Sequence, residues 1–310
     1  MRTAKVRTDW PGYWHNRGFQ EMTGEKAGMK GHGLSGKILY GVLAAASFVL
    51  LFALTYSSRE NRQEETQVRI VVLGDSIMGI VRDETSVTEK LAAYLGEPVF
   101  NGALGGTCLS RMDTEKRMGY SKDALSMAGL AKAIEAGDFG VQQTVRIRES
   151  ATEYFGDTID ELENIDFSAV EILIIGHGLN DYHGGAVMYN EEDPYDEYTF
   201  TGALRSSITS IRKAYPDLRI ILVTPTYSWY TVQQLTCEEL DAGYGILEDF
   251  VEAEKQVAAE LGVEVIDLYH DFYPHESWSD MELYTVDGLH PNEAGREMIA
   301  RTLAEYLRTD

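Results

Sequence analysis

Short apolar runs that stop at a glycine or a polar residue alternate along this chain with longer segments of helical period. Val68–Leu73 (VRIVVL) closes on Gly74, and similar runs recur at Val170–Ile175, Ile220–Thr224 and Val263–Ile266, with a weaker one at Pro98–Asn101. Apolar runs of this length bounded by turn residues predict buried strands. Between and after them Phe200, Leu204, Ile208 and Ile211 share one helical face, as do Leu247, Phe250, Val251, Val257 and Leu261, and finally Ile299, Leu303, Tyr306 and Leu307. Strands that alternate with amphipathic helices pair in parallel through right-handed crossovers, with helices on both faces. The pattern therefore predicts an α/β body of three layers around a mostly parallel five-stranded sheet, with ligands expected at the carboxyl ends of the strands. Residues 107–166 are long for one crossover and are expected to hold two helices of their own, one at Asp123–Ala136, as a lid or a cap.

One segment breaks this rhythm. Ile38–Ser58 is apolar on every face and contains no charge. Its nineteen residues from Ile38 to Tyr56 would span about 28 Å as a helix, at ~1.5 Å each, close to a ~30 Å hydrocarbon core. Residues 1–37 carry seven Lys/Arg and three acids, a balance of +4, which leaves 20 basic and 47 acidic residues, or −27, on the rest. A basic flank ahead of an apolar span keeps the tail cytoplasmic and sends the following body outward. A cleaved signal peptide fits less well, because the apolar run exceeds the usual ~7–15 residues and Leu54-Thr55-Tyr56 offers no small-x-small site. The expected organisation is a basic tail (1–37), a single-pass signal anchor in the lipid bilayer (38–58), a polar stalk (59–67) and an extracellular domain (68–310).

Composition narrows the function classes. The 310 residues are 44% hydrophobic and 25% charged, which excludes a disordered, collagenous or polytopic membrane chain. A net charge of −23 argues against nucleic acid as a partner, since phosphate binding needs a basic stripe. Cys108 and Cys237 permit one disulfide without requiring it, and two cysteines cannot by themselves form a four-ligand zinc site.

Four short motifs stand where the chain leaves the expected sheet. Gly74-Asp75-Ser76-Ile77 follows the first strand, where a serine can expose its hydroxyl at the sheet edge, although Asp and Ser also serve as helix caps. Asn101-Gly102-Ala103-Leu104-Gly105-Gly106-Thr107 allows close backbone approach or a plain tight turn, and lacks both the dinucleotide fingerprint and the phosphate-loop lysine. Gly176-His177-Gly178-Leu179-Asn180-Asp181 places an amide that can donate to an oxyanion or brace a turn. In Asp287-Gly288-Leu289-His290 the carboxylate can reach one ring nitrogen and leave the other free, as the acid of a serine triad does, although a loop His and a capping Asp read the same.

Taken in this order, the four motifs resemble those of the SGNH/GDSL hydrolases, over the stretch from about Val68 to the C-terminus. Gly74-Asp75-Ser76 is similar to the first block, with Ile77 where many members have Leu; Asn101–Gly106, Gly178–Asp181 and Asp287–His290 resemble the other three. The resemblance implies a flavodoxin-like SGNH fold and a serine esterase that needs no cofactor and no metal. In it Ser76 is the nucleophile, His290 the base and Asp287 its orienting acid, while the Ser76 and Gly106 N–H groups and the Asn180 side chain form the oxyanion hole.

Asp75, His177, Tyr227 and Trp229 are candidate substrate contacts, the last two because they follow the fourth strand where aromatic rings can stack on sugars; ordinary packing explains the aromatic pair just as well, and a turn explains His177. His270, Asp271 and His275 lie in LYHDFYPH, directly after Asp267, and their spacing matches no zinc pattern, so a solvated loop is expected there. The outward orientation and the resemblance together point to O-acyl, foremost acetyl, esters on carbohydrates as substrates. An O-acyltransferase, a lysophospholipase or lipase, and a glycan-binding module with a vestigial triad are the rival readings.

Overall fold

Ile70–Gly74 forms strand β1, a fully buried IVVLG segment. It is followed by β2 (Val99–Asn101), β3 (Ile172–Gly176), β4 (Arg219–Val223), a short hairpin of β5 (Trp229–Tyr230) and β6 (Leu235–Thr236), and β7 (Glu264–Ile266). The computed structural model of the chain describes residues 67–112, 123–145, 153–270 and 272–309. Five strands pair in the order β2-β1-β3-β4-β7, and each pairing is parallel. In β1 and β3, Ile70 lies opposite Ile172 and Gly74 opposite Gly176, so both strands end level. The connection out of β1 runs to β2 on one side, while β3 takes its place on the other. This reversal opens a crevice at their carboxyl ends.

The helices form two groups. Helix α1 (Ser76–Gly79) is a single turn after β1, and α2 (Val87–Leu95) leads to β2. Then come α3 (Met127–Ala136), α4 (Phe155–Glu163), α5 (Leu179–Gly184), α6 (Phe200–Ala214), α7 (Leu247–Leu261) and α8 (Glu293–Arg308). Helix α2 packs on α8, whereas α3 packs on α6 and α6 on α7, so the sheet is the middle layer of three. The apolar faces read from the sequence are the buried ones: Leu204, Ile208 and Ile211 on α6, Phe250, Val251 and Val257 on α7, Ile299 and Leu303 on α8 are all at most 1% exposed. Each such apolar side chain contributes about 1.5–3 kcal/mol by leaving water. Side-chain caps set the starts of the helices, with Ser86 accepting from Glu89 N, Thr199 from Gly202 N and Asn292 from Gly295 N.

The segment between β2 and β3 holds more structure than the two helices expected. A 3₁₀ turn (Asp123–Leu125), α3, a helical turn at Gly140–Gln143 and α4 succeed one another. Met127, Leu130, Ala131 and Ile134 of α3 are buried against the body, so this helix is part of the outer layer and not a detachable lid. The β5–β6 hairpin was not expected either, because two-residue strands carry no periodicity. Cys108 and Cys237 are both buried and are not joined in a disulfide. Among the described residues no helix is long and apolar enough to cross a membrane. The tail, the apolar run 38–58 and the stalk up to residue 66 lie outside the described residues.

Candidate active site

The first strand delivers Ser76 to the crevice. Asp75 caps α1: its backbone N–H donates to Gly176 O of β3 at 3.2 Å, and its Oδ1 accepts from Ile77 N at 2.9 Å. As the first residue of that turn, Ser76 has an N–H without an acceptor inside the helix. Asp75 is 2% exposed, and burial pushes its carboxyl up to about 6, against the opposing pull of the Ile77 N–H bond and the His290 charge. Its other oxygen accepts from Asn180 Nδ2 at 3.2 Å. Asp75 therefore sits inside the site as a brace between two motifs.

The last motif reaches the same point from the far end of the chain. Asp287 Oδ1 accepts from Leu289 N (3.0 Å) and His290 N (2.8 Å), which leaves Oδ2 to take His290 Nδ1–H at 2.7 Å. His290 Nε2 then lies 3.0 Å from Ser76 Oγ, 214 residues away in sequence. With Nδ1 protonated, Nε2 is the acceptor and the serine hydroxyl donates. Burial works against a charged His290, but the Asp287 hydrogen bond and charge, helped by Asp75, outweigh it and hold the imidazole above its ordinary range. Burial likewise opposes ionisation of Asp287, yet its bonds to His290 bring it down to about 2. The loop that carries the pair is fixed by Gly288, at φ +93°, whose carbonyl accepts from Trp229 N at 2.9 Å. A Cβ at Gly288 would run into the Trp229 carbonyl.

A second Asp-x-x-His segment shows what makes this one different. Asp267 Oδ1 accepts from Tyr269 N and His270 N, and His270 Nδ1 bonds Asp267 Oδ2 at 2.9 Å, the same local arrangement as at Asp287. There the free ring nitrogen faces Glu248 Oε1 at 3.5 Å and no serine. The distinction is tertiary: only His290 meets the end of β1.

The two middle motifs border Ser76. A Cβ placed on Gly105 would lie 3.6 Å from Ser76 Cβ, so the glycine loop passes beside the nucleophile, and Gly106 takes φ +69°. Asn180 Nδ2 donates to Asp75 Oδ2 and to Thr107 O at 3.1 Å, which sets the amide between the first and second motifs. Asp181, to which sequence reasoning gave no role, is fully buried and accepts from Leu109 N at 2.7 Å and Ser110 N at 2.9 Å. It ties the chain beyond the glycine loop to α5.

The remaining candidates are buried side chains. His177 is 2% exposed, with Nε2 3.3 Å from Thr107 Oγ1 and Nδ1 lacking a hydrogen-bond partner among the described residues; burial alone brings it down to about 3, so it is neutral at physiological pH. Tyr227 and Trp229 are 2% and 1% exposed and pack edge to face at 4.9 Å between centroids, with His275 stacked on Tyr227. Neither ring presents a face to solvent, and the contribution visible for Trp229 is the N–H that holds Gly288. Among the described residues no group of three or more His, Cys, Asp or Glu side chains converges as a metal site; Asp271 of the LYHDFYPH stretch is outside them.

A serine, a histidine and a carboxylate in hydrogen-bonded series at the switch point of a parallel sheet define the class of the serine hydrolases. The GDSL-like lipase/acylhydrolase family model matches residues 72–298, and the chain belongs to that family of ester hydrolases. Among solved structures it is similar to a protein from Lactobacillus plantarum, at 21% identity over 79% of this chain and 98% of that one, with a TM-score of 0.54. It is also similar to a possible lipase from Chitinophaga pinensis (18% identity, 77% of this chain and 97% of that one, TM-score 0.49). A third likeness is to the aryl esterase of M. smegmatis (17% identity, 78% and 99%, TM-score 0.46). The likeness to the L. plantarum protein is one of fold. The comparison with curated proteins returned no match.

Proposed function

We propose that this protein is a membrane-anchored extracellular esterase that removes small O-acyl groups, foremost acetyl, from carbohydrate. The observation that carries the reaction is the series Asp287 Oδ2–His290 Nδ1 (2.7 Å) and His290 Nε2–Ser76 Oγ (3.0 Å). His290 takes the Ser76 proton as Oγ attacks the ester carbonyl, and Asp287 stabilises the imidazolium. The oxyanion is held by the Ser76 and Gly106 N–H groups and by Asn180 Nδ2, which gives up one of its two acceptors, Asp75 Oδ2 or Thr107 O, to reach it; donors of this kind are worth ~10²–10³ in rate each. His290 returns the proton to the departing alcohol. Water, with His290 again as base, then releases the acid and frees Ser76.

The location and the substrate are supported by sequence. The uncharged run 38–58 behind a basic flank favours an outward-facing domain, where surface or environmental glycans are within reach. The body's −27 charge disfavours work on anionic bilayers at low salt. The test uses purified protein and p-nitrophenyl acetate beside Ser76→Ala. The wild type should turn over the ester and the variant should not, and equal rates from both proteins would remove the esterase reading. Acetylated polysaccharides should release acetate faster than long-chain esters release fatty acid. For the anchor, protease added to intact cells should clip the domain, and full protection would overturn the topology.

A further inference from the structure

The segment between β2 and β3 sends one side chain to the glycine loop. Tyr154, at the start of α4, accepts the Gly105 N–H on its phenol oxygen at 2.9 Å. A Cβ on Gly105 would be 3.1 Å from that oxygen and 3.6 Å from Ser76 Cβ, which puts phenol, glycine loop and nucleophile in one neighbourhood. Arg82, just past α1, lies over the Tyr154 ring at 4.2 Å. Its guanidinium donates to Gly79 O (2.9 Å), Asn101 O (2.7 Å) and Ala103 O. One cation thus joins the end of the nucleophile's helix, both sides of Gly102 and the ring that holds Gly105.

We propose that Arg82 and Tyr154 are positioning residues for the oxyanion hole, an inference that rests on the esterase reading above. Consecutive glycines such as Gly105-Gly106 allow a peptide plane to rotate at little steric cost. A flip of the plane between them would turn the Gly106 N–H away from a substrate carbonyl. Downstream, the loop is pinned by Thr107, whose N–H and hydroxyl both donate to Leu104 O, at 3.2 and 2.6 Å. Upstream, the pins are Arg82 on the Asn101 and Ala103 carbonyls and Tyr154 on the Gly105 N–H. With both sides held, the Gly106 N–H keeps one direction before substrate arrives, and this preorganisation is what makes an oxyanion donor effective. The long excursion between β2 and β3 thereby gains a part in the chemistry that its distance from the four motifs conceals.

Tyr154→Phe keeps the ring beneath Arg82 and deletes the phenol oxygen, with its bonds to the Gly105 N–H and to Arg82. It should lower kcat for p-nitrophenyl acetate about tenfold, a fraction of the ~10²–10³ worth of a whole donor, with KM within about twofold. The inhibition constant of a boronic acid, which presents a tetrahedral oxyanion, should rise by the same factor as kcat falls. A change in packing alone would lower the melting temperature or raise KM and leave boronate affinity and substrate affinity moving together. Arg82→Lys keeps a positive charge but loses the fork to two carbonyls, and should act in the same direction. Amide exchange supplies a readout independent of turnover: the Gly105 and Gly106 amides should exchange at least tenfold faster in Tyr154→Phe. Wild-type kcat, boronate affinity and exchange in that variant would overturn the proposal. If the wild-type protein shows no turnover, the esterase reading fails by itself, and unchanged exchange would then refute the pinning separately.

Discussion

Replacing Asp287 by Asn is the most informative single change, because the surrounding bonds decide what the new amide can do. Asp287 Oδ1 accepts two backbone N–H groups, from Leu289 and His290, while Oδ2 faces His290 Nδ1 at 2.7 Å. An asparagine must turn its carbonyl oxygen toward those two donors, since its NH₂ would meet them hydrogen to hydrogen. That choice aims the NH₂ at His290 Nδ1, which must then be the unprotonated nitrogen. The proton moves to Nε2, 3.0 Å from Ser76 Oγ, and a ring that donates there cannot take the serine proton. The variant loses the correct tautomer and the charge that stabilises the imidazolium. At neutral pH kcat should fall by ~10⁴, about 5 kcal/mol of transition-state stabilisation. Because Asp287 is half exposed on the surface, folding should change little, and thermal unfolding should stay close to wild type. With the charge gone, the burial that opposes His290 protonation is no longer outweighed, and the imidazole should titrate lower than in the wild type. The assay is p-nitrophenyl acetate hydrolysis across pH 5–10, corrected for the spontaneous rate. A kcat within tenfold of wild type at neutral pH would refute the tautomer argument.

Further outcomes follow from the same geometry. In the wild type, His290 must be neutral to act as base and is held above 6.5, so kcat/KM should rise with pH, with its acid-limb midpoint above 6.5 and activity lost below it. A midpoint well under 6.5 would contradict the coupling to Asp287. Asn180→Ala should lower kcat by ~10²–10³ and leave KM nearly unchanged, measured by steady-state kinetics on the same ester. Gly288→Ala places a Cβ against the Trp229 carbonyl at φ +93° and should cost about 1–3 kcal/mol, a fall of roughly 2–12 °C in melting temperature by calorimetry.

Much of this site was legible in the sequence because its parts sit where strands end. Val68–Leu73 and Val170–Ile175 mark β1 and β3 to within two residues, and each is followed at once by the residues that converge. The helical faces of α6, α7 and α8 were equally clear from their apolar spacing. What stayed hidden depends on partners remote in sequence. Asp181 reaches Leu109 across 72 positions and Tyr154 reaches Gly105 across 49, and neither pairing leaves a periodic trace. Tyr227 and Trp229 show a further limit: an aromatic run after a strand reads the same whether it lines a cleft or fills a core. Here their burial decides. Asp267-Leu268-Tyr269-His270 makes the point from the other side, since its local bonds repeat those of the active pair while its histidine meets a glutamate. A motif becomes a site only where the fold supplies the third group.

The central claim is that Ser76 is the atom acylated. Trapping the protein during turnover with an activated acetyl ester, by acid quench followed by peptide mass analysis, tests it directly. One acetyl group should appear on the peptide that contains Ser76, at reduced yield in His290→Ala and not at all in Ser76→Ala. An adduct on another residue, or unimpaired turnover by Ser76→Ala, would contradict the account.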